Sequence, residues 1–301
     1  MRNSISILFF LLLGTQLFAT TTDELKATII GSGSPMYNIN RAGPSVLITQ
    51  GNTSILVDMG NGTQANLNKL RFNVRNLAAL LFTHHHLDHN EEFVPIFIRS
   101  LLGKSKFLVV GPPNTKKYVS VNFDLYKEDI SYRLSKSKRS LTSRENSFKS
   151  TEVKGGEEFY INNIKVTTLK VPHSIYAIAY RFEYQGKSIV VTGDLTYSSK
   201  LSHFASKADY LIIDAGGMVM QNQNKANRKN RPNNKKNSRN SKDRAHLNLA
   251  DSSKIAKDAQ IKTLVYTHFR TGEINSTSSL KEIRKNYSGN VTFSKDLMLL
   301  N

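Results

Sequence analysis

Four of the eight histidines in this 301-residue chain fall within six positions, in the run His84-His85-His86-Leu87-Asp88-His89. Imidazole and carboxylate are donors that a borderline divalent cation such as zinc accepts, and the chain has no cysteine to offer sulfur instead. The run follows directly on residues 77–83, an apolar stretch that predicts a buried strand. On a tight loop at such a strand end the backbone is held while His84, His86, Asp88 and His89 converge on open space. A lone histidine is ordinarily a satisfied core or surface residue. Four in six positions are not, because alternate side chains can face two different ions. Three further donors follow apolar runs in the same way: His173, Asp194 and His268. Asp194 has two carboxylate oxygens and could bridge two ions held about 3.5–4 Å apart, the separation that two-metal hydrolysis uses.

These donors require strands that end together. Residues 26–31, 45–49, 53–58, 77–83 and 106–111 predict one set of strands, and 164–171, 177–184, 187–192, 210–214 and 262–267 a second. Helical spacing predicts helices over 63–72, 91–102, 198–206, 247–259 and 278–287. The reading is mixed α/β in two similar halves. Gln185-Gly186 between two alternating runs predicts a hairpin, which argues against a purely parallel, doubly wound sheet.

Composition bounds the rest. With 39% hydrophobic residues the chain can bury one large core or two small ones, and collagen, coiled-coil and disulfide-stapled classes are excluded. Without cysteine there is no thiolate metal site, catalytic thiol or iron–sulfur cluster. The net charge of +19 is regional: residues 104–149 carry 11 basic against 4 acidic side chains, and 220–245 carry 9 against 1. Residues 221–244 hold too little apolar surface to offset their ordering entropy and read as a disordered basic insert able to attract a polyanion. Residues 131–151 read as a weaker case, a short helix with a mobile tip. At the N-terminus, Arg2, the apolar run 5–13 and Ala19 resemble an export signal over 1–19, with the domain proper over 20–301 and a periplasmic or secreted location. The apolar run is shorter than the roughly 20 residues that span a bilayer, and no other segment comes close, although a retained amphipathic anchor is an alternative to cleavage.

His84, His86, Asp88 and His89 together make an HxHxDH signature, and with His173, Asp194 and His268 following in order the chain resembles the metallo-β-lactamase superfamily. The resemblance runs from about Lys26 onward and implies an αββα sandwich with metals at one edge. Gly31-Ser32-Gly33-Ser34-Pro35, Asn40-Arg41, Pro172-His173-Ser174, Thr192-Gly193-Asp194 and Thr267-His268-Phe269 look most like the ribonuclease Z group and its exported relatives. The same resemblance implies that His246, oriented by Asp214, donates a proton to a leaving group. Read from residue types alone, His246 could equally be a helix-start residue and Asp214 a turn cap. His85, the spacer of the signature, and His203, on a helical surface stretch, receive no role. The 21 positions from His173 to Asp194 are too few for the protruding tRNA-binding arm of bacterial members, and an export signal points away from precursor tRNA.

The expectation is a zinc-dependent hydrolase with two ions, one held by His84, His86 and His173, the other by Asp88, His89 and His268, and both by Asp194. Two cations acidify a bound water toward neutrality and offset charge growing on the attacked centre. A phosphodiester or similar anionic ester, small or oligonucleotide, is the leading substrate class. Lactone, thioester or sulfate ester hydrolysis on the same fold is the alternative among enzymes, with β-lactam hydrolysis ranked lower. A polyanion-binding protein with a structural metal site is the alternative of another class.

Overall fold

A computed structural model describes residues 23–103, 106–216, 218 and 245–301. The apolar runs of the sequence become strands covered on both faces, which is why they are continuous where half-exposed strands would alternate. In the first sheet are β1 (Lys26–Gly31), β2 (Ser45–Gln50), β3 (Thr53–Val57), β4 (Ala79–Leu81), β5 (Phe107–Gly111), β6 (Phe148–Glu152) and β14 (Met298–Leu300). Their order is β14-β1-β2-β3-β4-β5-β6. The second sheet holds β7 (Glu158–Ile161), β8 (Ile164–Val171), β9 (Ala177–Tyr184), β10 (Lys187–Val191), β11 (Tyr210–Asp214), β12 (Thr263–Thr267) and β13 (Asn290–Phe293), in the order β13-β12-β11-β10-β9-β8-β7.

The pleat decides which layer each side chain joins. In β3, Ile55 and Val57 face the second sheet, where Val166, Tyr180, Phe182, Val191 and Val265 meet them, and Leu56 between them faces outward. The outward side of the first sheet is covered by α1 (Thr63–Lys69), α2 (Phe93–Leu101), α3 (Thr115–Leu125) and α4 (Lys127–Ser135), through Leu67, Phe93, Phe97, Val119, Phe123 and Leu134. On the second sheet α6 (Ser199–Phe204), α7 (Leu249–Asp258) and α8 (Ser276–Ile283) bury Leu201, Ile255 and Ile283 against Leu211, Ile213 and Leu264. The layers are helix, sheet, sheet, helix, as expected for an αββα sandwich.

Gln185 and Gly186, with φ of 46° and 79°, make the anticipated turn between antiparallel β9 and β10. Strands β3 to β6 and β10 to β13 run parallel within their sheets. The loops that follow β3, β4, β8, β10, β11 and β12 carry the candidate donors, so the parallel arrangement delivers them to one edge.

Over 131–151 the expected short helix is present, with more regular structure around it. That stretch contains the end of α4, the short α5 (Thr142–Glu145) and most of β6. Ile130 and Leu134, four apart on α4, are fully buried, and this pair outweighs the charge of their neighbours. Arg139 has a structural use: its Nη1 and Nη2 donate to the carbonyls of Gly103 and Leu102 at 2.9 and 2.8 Å, satisfying the end of α2. Residues 1–19 and 221–244 lie outside the described residues. Among the described residues no helix is long and apolar enough to cross a membrane.

If α4 is structural, Leu134→Ala lowers unfolding free energy by about 2–5 kcal/mol, as expected for a fully buried leucine. Urea unfolding followed by circular dichroism measures this, and a change within about 0.5 kcal/mol, typical of surface sites, would show the helix to be dispensable.

Candidate metal centre

The tight loop after β4 turns His84 and His86 toward His173, which follows β8. His84 Nε2 and His86 Nδ1 face each other at 3.0 Å, and His173 Nε2 lies 3.2 Å from the same His86 nitrogen. With an oxygen of Asp194, one atom from each of these residues lies within 4.8 Å of every other. Asp88, His89 and His268 form an adjoining cluster on the same criterion. His268 Nε2 is 3.3 Å from Asp88 Oδ2 and 3.4 Å from Asp194 Oδ2, and His89 Nε2 is 3.5 Å from both Asp88 Oδ2 and Asp194 Oδ1. All seven side chains anticipated as ligands are therefore brought together, with Asp194 between the two groups.

The backbone is bent to achieve this. Asp58 and His268 adopt left-handed conformations, φ 58° and 63°, which cost a non-glycine residue about 1–2 kcal/mol and occur where a site demands them. Before Asp194, Gly193 has φ 60°, and a Cβ there would stand 2.6 Å from Thr83 Cβ. Only glycine lets the Asp194 loop pass the start of the histidine run.

The donor set fits a divalent cation. His89 Nε2 and Asp194 Oδ1 are buried and, apart from ion-pair contacts at 3.5 Å, make no hydrogen bond, which leaves both donors turned toward a cation. Burial, reinforced by neighbouring imidazoles, holds His84 well below its usual pKa, and burial also lowers His86 and His173. Those three are neutral imidazoles at physiological pH, the state that ligates metal. At Asp194, burial favours protonation, but the charges of His268 and His89 overcome it and hold the carboxyl well below its usual range. His89 is opposite in sign: burial opposes its charge, yet Asp58 and Asp194 raise it well above the ordinary value. A cation placed among these groups would displace that proton.

A second layer orients the ligands, and part of it was not singled out from the sequence. Asp58, just after β3, accepts the backbone N–H and hydroxyl of Thr83 at 2.8 and 2.7 Å and faces His89 Nδ1 at 2.8 Å. Thr83 Oγ1 in turn lies 3.0 Å from His84 Nδ1. One carboxylate thus sets the ring planes of ligands in both clusters. Its signal in the sequence was an aspartate ending an apolar run, as at Asp194 and Asp214. His173 Nδ1–H donates to the Ala245 carbonyl at 3.0 Å.

His246 and Asp214 stand beside the ligands as a pair: His246 Nδ1 is 2.6 Å from Asp214 Oδ2, whose other oxygen accepts the Gly216 N–H at 2.8 Å. His246 is partly exposed whereas Asp214 is buried. Burial and the charge of Asp194 raise Asp214; burial opposes charge on His246, but the bond to Asp214 raises it. His85 points away from the centre, with Nε2 3.0 Å from Thr115 Oγ1 and its ring near Phe82 and Tyr118. His203 lies on α6.

A family model described as the Beta-lactamase superfamily domain matches residues 53–269. Ribonuclease Z of Mycobacterium bovis is 28% identical over 195 residues, covering 62% of this chain and 69% of that protein. Among solved structures, the metallo-β-lactamase fold protein YhfI from Bacillus subtilis superposes with a TM-score of 0.70 at 20% identity, covering 93% of this chain and all of that one. The short form of human tRNase Z superposes with a TM-score of 0.65 at 17% identity, covering 92% and 98%. The chain belongs to the metallo-β-lactamase superfamily. Within it the chain is similar to ribonucleases Z, and its class of chemistry is metal-dependent hydrolysis.

Because Asp58 orients the His89 ring, Asp58→Ala is expected to weaken metal retention about 10–100-fold. His85→Ala, outside the cluster, should leave it unchanged. Competition with a chelating dye reads both, and equal affinities for the wild type and Asp58→Ala would refute the orienting role.

Proposed function

We propose that the protein is an exported hydrolase of phosphodiesters or similar anionic esters that works with two zinc ions. The observation that carries this reading is the His246–Asp214 pair beside the seven-residue cluster, since a structural metal site has no use for a poised proton donor. The names of the relatives, ribonuclease Z and tRNase Z, support phosphodiester chemistry, and the N-terminal sequence supports export. His84, His86 and His173 would hold one ion, Asp88, His89 and His268 the other, and Asp194 both. Bound there, the two cations would acidify a water and offset the charge that develops on phosphorus.

The chain's own residues account for the remaining requirements. Asp58 and the Ala245 carbonyl fix the ring orientations of His89 and His173, so the ligands need not reorganise on loading. Asp214 fixes a proton on His246 Nδ1, leaving Nε2 to deliver its proton to the departing oxygen as the bond from that oxygen to phosphorus breaks. Water adds to phosphorus, and the products are an alcohol and a phosphomonoester. The basic residues 221–244 support a polyanionic partner: Gly216 and Ala245, which bracket that region, both hydrogen-bond to residues of the site. Basic charge of this kind raises encounter rates and affinity for a polyanion without positioning the reacting bond.

His246→Ala should keep its metal and lose about 10²–10⁴-fold in turnover for poor leaving groups, with a smaller loss for leaving groups that need no proton. Rates on a series of phosphodiesters graded by leaving-group pKa measure this, and an equal loss throughout would remove His246 from the proton-donor role. Deleting 222–244 should weaken oligonucleotide binding and flatten its salt dependence while barely changing turnover of a small diester. An unchanged affinity and salt slope would reduce the insert to a solubilising spacer.

A further inference from the structure

The segment that joins β13 to β14 carries the chain from the second sheet to the first, and Asp296 sits in it. Ser294 N–H donates to the Tyr266 carbonyl of β12 at 2.9 Å, and Leu297 N–H to the Ile29 carbonyl of β1 at 2.7 Å. Between these two ties the Asp296 carboxylate accepts four hydrogen bonds. Oδ1 takes the N–H and Oγ–H of Ser32 at 2.9 and 2.8 Å, and Oδ2 takes Ala42 N–H and Asn66 Nδ2–H at 2.7 and 2.9 Å. The accepting capacity of the carboxylate is thereby used up. Ser32 and Ala42 lie at the two ends of the loop after β1, and Asn66 lies on α1, so one side chain closes that loop and fastens it to the domain. Bonds to an ionised acceptor are roughly twice as strong as neutral ones.

Two routes lead from this closed loop to the ligands. In the first, the Ser32 carbonyl accepts Phe269 N–H at 2.8 Å, and the Arg41 guanidinium lies 4.7 Å from the centre of the Phe269 ring. Phe269 directly follows His268, whose left-handed backbone, φ 63°, persists only where its surroundings hold it. In the second, Gly43 N–H donates to the Asn61 carbonyl at 2.7 Å and Gly60 N–H to the Pro44 carbonyl at 3.1 Å, which ties the loop to the turn after β3. That turn is packed on the ligand run: Met59 N–H donates to the His89 carbonyl at 2.8 Å, and a Cβ on Gly60 would stand 2.4 Å from the Asp88 carbonyl oxygen.

Both routes end on the cluster of Asp88, His89 and His268. The other three histidines meet different elements: His84 faces Thr83, His86 faces Ser174, and His173 donates to the Ala245 carbonyl.

We propose that Asp296 is a positioning residue for the metal centre, holding the backbone of Asp88, His89 and His268 in ligating geometry through the loop it closes. The assignment rests on the two-ion reading of the site and gives one cluster a support that the other histidines draw from elsewhere.

Asp296→Asn tests this, because an amide of the same volume offers one acceptor oxygen and turns an NH2 group against donors that the carboxylate satisfied. Zinc affinity is measured by competition with a chelating dye, and long-range proton–nitrogen NMR spectra report the histidine rings one by one. The expected result is about tenfold weaker zinc retention, with the ring signals of His89 and His268 displaced and those of His84, His86 and His173 in place. Leu134→Ala, which loosens α4 without touching this network, should leave both readouts unchanged. Wild-type affinity in Asp296→Asn, an equal loss in Leu134→Ala, or displacement of all five ring signals alike would overturn the positioning role. If Asp296→Asn does not fold by circular dichroism, Ser32→Ala, which removes only the Oγ–H donor, should displace the same two signals by less, and no displacement would overturn the proposal. Should the wild type hold one zinc ion or none, the two-ion reading falls, and the ring signals of the isolated protein and its variant still decide the role of Asp296.

Discussion

Asp194 is a carboxylate with almost no exposure to water, and four imidazoles, those of His89, His173, His246 and His268, have a nitrogen within 4.0 Å of it. A charge in such a place is tolerable only when opposite charge stands beside it. The surrounding rings provide some, but burial keeps His84, His86 and His173 neutral, and one Asp194 oxygen has no hydrogen-bond partner. Positive charge from a cation is the missing component, and the neutral imidazoles are the ligands it needs.

The fold makes that concentration of donors possible. Apolar strands packed between helix layers end at one edge, and each polar residue just beyond a strand end emerges where no core packing competes for it. The left-handed turns at Asp58 and His268 and the tight passage of Gly193 past Thr83 are local costs, borne by sheets whose interior side chains are fully buried. Asp58 links the layers of control. It holds the Thr83 backbone, and through it the entry to the histidine run, while facing the ring of His89.

The central strands and every proposed ligand were legible in the sequence, because strands buried on both faces read as unbroken apolar runs and the donors followed them directly. The outer strands were not. In β6 no residue is fully buried, and β7, β13 and β14 are four residues or fewer with mixed exposure, so their pairing comes from the neighbouring strand instead of their own pattern. The basic stretch across α4 and α5 concealed structure for a related reason: in α4 two buried side chains, Ile130 and Leu134, suffice where a sheet lies beneath. Asp58 sat at the end of an anticipated strand, yet its function depends on Thr83 and His89, 25 and 31 residues further along, and a single sequence does not display such a pairing.

The account stands on Asp194 serving two cations at once. Metal analysis of the protein reconstituted with zinc, alongside Asp194→Asn, tests it most directly. The account predicts about two ions per chain in the wild type and loss from both positions in the variant, with the fold retained by circular dichroism. One ion or none in a folded, reconstituted wild-type protein would contradict it.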